Sequence, residues 1–273
     1  MRLQALRHGA TGPQRDPAAV LASSTFSAGI RLLPAGLYGD AHELYCMLRT
    51  IDDLVDEQHP DAIEHVEALE HWARSGEVRS AEAQTLSNLS ERYPLSARPI
   101  IDFCQGMRYD IARREIVSEG DLDLYCYWVG GTVGVMIAEL FGSTDPSCAA
   151  KMALLGAAMQ RTNILRDIDE DLQNGRLYIA RSTIARFGFP FPGEREELIR
   201  DQIARADELY ERGWGALRLL ATGRRAMTLS TVLYREILRQ IERDGFGRNA
   251  GRAVIPRWRK SLLLARHRFG SAR

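Results

Sequence analysis

Two segments of this chain are apolar nearly all the way around a helix and still carry rows of carboxylates, a combination that few folds accommodate. In LYCMLRTIDDLVDE, residues 44–57, Tyr45, Arg49, Asp52 and Asp56 fall at about 0, 40, 340 and 20° around a helix. They make one narrow seam. Leu44, Cys46, Met47, Leu48, Ile51, Leu54 and Val55 fill the rest, with Thr50 and Asp53 as exceptions. A surface helix has one apolar face and one broad polar face. A thin charged seam on an apolar helix points instead into a polar cavity inside a bundle. The second segment is MQRTNILRDIDEDLQNGRLY, residues 159–178, where Gln160, Asn163, Asp167 and Asp171 fall at about 0, 300, 340 and 20°. The turns before it, MALLGAAM at 152–159, are fully apolar, so this helix too is expected to be buried.

Buried carboxylate ladders cannot face each other bare, because unpaired anions in a low dielectric are costly or else take up protons. Hard divalent cations resolve the conflict, and oxygen ligands without Cys or His select Mg²⁺. Arg49 and Arg166, placed beside the carboxylates, imply an anion in the same site. One such acidic run alone reads as a solvated helix face. Two of them on apolar helices, each with arginine in register and the second with amides as well, read as a site.

The remainder of the chain agrees with an all-α fold. After Pro34, apolar residues recur at three- and four-residue spacing with no sustained alternation. Breakers at Pro60, 74–80, Pro94, Pro99, 143–146 and 188–194 divide this pattern into about eight to ten helices. Residues 1–20 are polar and are expected to be a loose arm, with 21–273 forming a single helical domain. The 36 basic and 36 acidic residues balance, so no global field favours nucleic acid. Cys46, Cys104, Cys126 and Cys148 form no CxxC pair and read as core thiols in a reducing compartment. The start of the chain lacks the apolar core of a signal peptide. The longest uncharged stretch, Leu124–Ala138, has 15 residues, short of the roughly 20 that span a bilayer. A cytoplasmic protein without a transmembrane segment is expected, drawn to a membrane only by a greasy substrate.

On these segments the chain resembles the squalene/phytoene synthase family. Tyr45, Arg49, Asp52 and Asp56 match the family's Y-x-x-x-R-x-x-D-x-x-x-D motif, and Gln160, Asn163, Arg166, Asp167 and Asp171 match Q-x-x-N-I-L-R-D-x-x-x-D. GRLYIARSTIARFG (175–188), LYCYWVGGTVGVM (124–136), SSTFSAGIRLLP (23–34) and RNAGRAVIPRWRK (248–260) are similar to further stretches of that family, in order over about residues 20–265. The resemblance implies a single-domain isoprenoid synthase bundle around a central cavity, with three Mg²⁺ ions clamping the diphosphate of an allylic prenyl donor. Carried over residue by residue, Asp52, Asp56, Asn163, Asp167 and Asp171 would hold metal. Arg49, Arg166 and Arg252 would contact diphosphate, while Tyr45, Tyr125, Gln160 and Tyr234 would line the reacting centre. Gly130 and Gly131, following Tyr125, are expected to break their helix and open it to the cavity.

The N-terminal flank departs from the family. Ala22, Ser24 and Tyr38 stand where a histidine and two cations are usual, and Ala180 replaces a proline. Loss of cations there fits one diphosphate and an uncharged partner. The expected reaction is therefore prenylation of a neutral aromatic, carbazole-like acceptor held by Phe26, Ile30, Tyr38 and Trp128. The alternative is head-to-head condensation of two prenyl diphosphates of the presqualene or phytoene type. A third reading is a non-catalytic isoprenoid-binding protein, which the intact metal-ligand positions disfavour.

Overall fold

The computed structural model describes residues 27–143 and 145–269. Among them there is no strand. The helices are α1 (Ser27–Ile30), α2 (Ala35–Asp56), α3 (Ala62–Ser75), α4 (Ala81–Ser90), α5 (Ala97–Ile111), α6 (Glu119–Cys126), α7 (Thr132–Phe141), α8 (Ser147–Gln173), α9 (Arg181–Phe187), α10 (Glu196–Gly213), α11 (Ala216–Leu219), α12 (Arg224–Arg243) and α13 (Arg257–Phe269), with a π-helical turn, Tyr127–Gly131, joining α6 to α7. The expected breakers end or begin these elements. Gly76, at φ 76°, closes α3 in the left-handed conformation, and Ser118 opens α6 with a reciprocal capping box to Asp121. The loose arm at 1–20 lies outside the described residues.

The long helix α8 is the axis of the molecule, with α7, α10, α12 and the π turn packed along it. On one side this packing is backbone against backbone. A Cβ placed on Gly130 would lie 2.5 Å from Gly156 O, and one on Gly156 would lie 2.1 Å from Gly130 O. Gly130 and Gly131 thus do not break the helix as expected, although Gly130 does reach the cavity wall. They bring it onto α8, and one widened turn absorbs the misfit. The rod from Glu119 to Phe141 runs for 23 residues, long and apolar enough by composition to cross a membrane, which the 15-residue uncharged stretch had not suggested. In the fold it packs against α5 and α8, with Leu122, Met136 and Leu140 in the core. The acidic helices α2 and α8 bury Leu44, Ile51, Ala158 and Leu165 on their apolar arcs, which turns both seams toward one interior cavity.

Candidate active site

The cavity encloses about 330 Å³, within the roughly 300–1,000 Å³ of ordinary ligand pockets. One end is polar. There α2 contributes Tyr45, Arg49, Asp52 and Asp56, and α8 contributes Gln160, Asn163, Arg166, Asp167 and Asp171. The other end is a greasy tunnel of Phe103, Val129, Val133, Ile137, Met152, Leu155 and Met227. Tyr125 and Tyr234 line the space between them. A bundle of this kind offers a charged head group one end and a long hydrocarbon the other.

The arginines sit on the carboxylates. Arg49 reaches Asp52 at 2.9 Å and Asp53 at 2.6 Å. Arg166 forks onto Asp167 through Nε at 2.8 Å and Nη2 at 2.5 Å, and Arg252 Nε stands 3.1 Å from the same carboxylate. Arg176 bridges Asp56 at 3.5 Å and Asp110 at 3.4 Å. Asp56 and Asp171 repel each other across the cavity. Burial, with Asp56 adding its charge, pushes the Asp52 carboxyl up to about 7, although Arg49 opposes the shift. Asp52 keeps 41% of its side chain accessible, along the cavity wall. Burial together with Asp167 and Asp56 pushes Asp171 up to about 7 as well.

The donor set fits a hard divalent cation. The oxygens are carboxylate and amide only, and ionising them without a counter-cation is penalised by their shared burial. Asn163 adds a more specific sign. Its Nδ2 donates to Gln160 Oε1 at 3.3 Å, while its Oδ1 is buried without a hydrogen-bond partner. A buried orphan acceptor on a residue that lines the same cavity as the carboxylates is what a metal ligand looks like before it is used. No three His, Cys, Asp or Glu side chains among the described residues close on a single point; Asp52, Asp167 and Asp56 pair instead with Arg49, Arg166 and Arg176.

Three groups at this end were absent from the sequence reading. Asp110, on α5, accepts from Tyr125 OH and from Tyr178 OH, each at 2.9 Å, and burial pushes it up to about 6 against those bonds. The two tyrosine rings stack at 5.1 Å and 18°. Arg176 donates to Tyr178 OH at 2.8 Å. Arg176 and Tyr178 lie in the GRLY stretch quoted above and could have been found there. Asp110 sits in an ordinary amphipathic helix and gave no signal.

The residues expected around an acceptor do not gather here. Ile30 is buried on α1, which packs on α12, and is no part of the cavity wall. Tyr38 stacks on His42 at 6.0 Å, two turns before Tyr45, outside the lining. Trp128 is also outside: Tyr125, Val129 and Val133 take the cavity face at four-residue spacing, which turns Trp128 toward Tyr109, 6.0 Å away on α5. Phe26, with Ala22 and Ser24, lies outside the described residues. Arg252 touches the acidic seam from the rim and does not line the cavity itself.

Its position depends on a buried pair. Arg195, before α10, forks onto Asp169 at 2.6 and 2.7 Å, and donates to Gly247 O at 3.0 Å and Asn249 O at 3.4 Å. Asp169 also accepts from Gly251 N at 2.7 Å. The two side chains are 2% and 8% accessible. Together they clamp the glycine-rich loop whose next residue is Arg252.

Residues 20–259 match the squalene/phytoene synthase family. The chain is 31% identical over 273 aligned residues to a phytoene synthase of Arthrospira platensis, covering 89% of this chain and 87% of that one. It is also 31% identical to a 15-cis-phytoene synthase of Synechococcus elongatus, with the same coverage. Among solved structures it is similar to a dehydrosqualene synthase bound to a ligand, with a TM-score of 0.82 and 24% identity over 92% of this chain and 93% of that one.

Proposed function

This chain belongs to the squalene/phytoene synthase family, and from that premise we propose that it is a Mg²⁺-dependent prenyltransferase joining two prenyl diphosphates head to head. Family members are prenyltransferases acting on prenyl diphosphates, and this chain is one of them. The observation that carries the metal-assisted reading is the meeting of two acidic seams, with the orphaned Asn163 Oδ1, at one end of an apolar tunnel. Asp52, Asp56, Asn163, Asp167 and Asp171 would hold the metal. Bound there, Mg²⁺ supplies positive charge against the departing diphosphate. Arg49, Arg166 and Arg252 bind the same leaving group through charged N–H donors. The apolar tunnel keeps water from the allylic cation, and the faces of Tyr45, Tyr125 and Tyr234 steady it until a carbon nucleophile attacks.

For the acceptor, two prenyl diphosphates take precedence over the aromatic expected from sequence. The relatives above are phytoene synthases by name, and Ile30, Tyr38 and Trp128, which were expected to hold an aromatic acceptor, do not line the cavity. One observation keeps the neutral acceptor as the second reading. The cations lining the cavity among the described residues are Arg49 and Arg166, and both are engaged by aspartates of their own seams. Incubation with farnesyl or geranylgeranyl diphosphate alone, plus Mg²⁺, separates the two. A C30 or C40 product is expected. Consumption of the diphosphate only when an aromatic co-substrate is added would replace the first reading by the second.

A further inference from the structure

Beyond the Arg252 rim the chain turns its apolar side outward. Val254 is 63% exposed and Trp258, on α13, 64%, with Leu262 and Leu264 at 42% and 38%. Trp258, Leu262 and Ala265 fall within about 60° of one another around the helix. Arg259 lies about 100° from Trp258 and holds Glu236 of α12 at 2.6 Å, so the bundle takes one side of α13 and the apolar stripe is left open. Ile255 is buried and anchors the segment at its base. Beside that base the 188–193 loop, tied to the glycine-rich loop through Gly193 N and Gly247 O at 3.4 Å, displays Phe189 and Phe191, both exposed, with ring centres 4.6 Å apart and planes tilted by 44°.

The same stretch is strongly basic. From Gly245 to Arg266 it carries Arg248, Arg252, Arg257, Arg259, Lys260 and Arg266 and no acid at all, in a chain whose 36 cations and 36 acids cancel only when this stretch is included. Neighbouring carboxylates match Arg252 and Arg259. The remaining charge surrounds the exposed apolar stripe. A basic helix with Trp and Leu on its open face is the pattern of helices that lie in a bilayer interface.

We propose that this face docks on an anionic lipid bilayer, with Trp258 and Leu262 entering the boundary between head groups and acyl chains. A second copy of the chain is the poorer occupant, since two such faces would bring their cations together. Charge complementarity selects anionic head groups instead. The docked face adjoins the rim where Arg252 meets Asp167, which places the cavity mouth beside the lipid, the phase in which prenyl chains dissolve. The inference does not depend on which acceptor the enzyme uses.

Vesicle flotation of the full chain tests it, using phosphatidylcholine alone and phosphatidylcholine mixed with phosphatidylglycerol. The wild type is expected to float with the mixed vesicles, less at high salt, and only weakly with phosphatidylcholine. Trp258→Ser with Leu262→Ser should weaken that binding about tenfold or more, with an unchanged melting temperature and unchanged turnover of detergent-dispersed substrate. Trp258→Phe keeps an apolar ring and should keep the flotation. Equal flotation of wild type and the double variant, or none by the wild type, overturns the proposal. So does a wild-type dimer, formed without lipid, that the double variant dissolves.

Discussion

Asp52 has a carboxyl pushed up to about 7 chiefly by burial, with Asp56 adding to the cost of its ionised form. Asp52→Asn removes that cost together with a metal oxygen. Turnover is expected to fall roughly 10³-fold or more, because each metal contact is asked for several kcal/mol in the transition state. The melting temperature in chelator should stay the same or rise, since one of several clustered like charges has gone. Asp167→Asn should behave alike in turnover. Near-wild-type rates in either variant would remove the metal assignment. Arg49 presents a different question, because it already holds Asp52 and Asp53. A lysine would neutralise them as well, but it lacks the planar fork that grips a diphosphate through two donors. Arg49→Lys is therefore expected to lower kcat/KM by tenfold or more. A fully active lysine variant would make Arg49 a mere counter-charge.

Helices bring these side chains together through contacts that can be tested as units. The π turn and α8 approach so closely at Gly130 and Gly156 that a methyl group on either would meet a carbonyl oxygen at 2.5 or 2.1 Å. Gly156→Ala should force the helices apart and cost about 1–3 kcal/mol of stability, seen as a melting temperature several degrees lower. An unchanged melting temperature would mean that the bundle has slack there. The clamp of Asp169 and Arg195 works at longer range, seating the loop that delivers Arg252 to Asp167. Asp169→Asn breaks a buried pair and is expected to destabilise the protein whether or not Arg252 is present. Its kinetic effect should differ. In the wild-type background it should raise KM for the diphosphate, whereas in an Arg252→Ala background it should add little. Additive losses in kcat/KM would show that the clamp acts elsewhere than through Arg252.

Taken together, the helices form a tunnel with an electrostatic cap, and the two ends fail in different ways. Chelation should abolish turnover, and Mg²⁺ should restore it with no change in helical content, because the described core is packed from apolar side chains, those of α2, α5, α8, α10 and α12 among them. Failure of Mg²⁺ to restore activity would argue against the hard-cation reading of the donor set. The apolar end governs what the cation meets, and its wall comes from four separate helical stretches: α5, the π turn with α7, α8 and α12.

Much of this was legible one helix at a time. Seams at 3.6-residue spacing reveal which side chains share a face, so Tyr45, Arg49, Asp52 and Asp56, like Gln160, Asn163, Asp167 and Asp171, could be grouped before any tertiary contact was known, and all eight line the cavity. Two buried acidic faces demand each other or a cation, which already implied that the helices meet. That reasoning stops where one helix no longer carries the information. Asp110 joins the site because α5 crosses behind two tyrosines from different segments, and Asp169 matters because Arg195, distant in sequence, closes on it. Trp128 left the expected pocket because a neighbour in the same turn, Val129, took the inward position. Periodicity identifies the face of a helix, but the contents of a cavity depend on which faces pack against each other, and that is settled by the fit of whole helices.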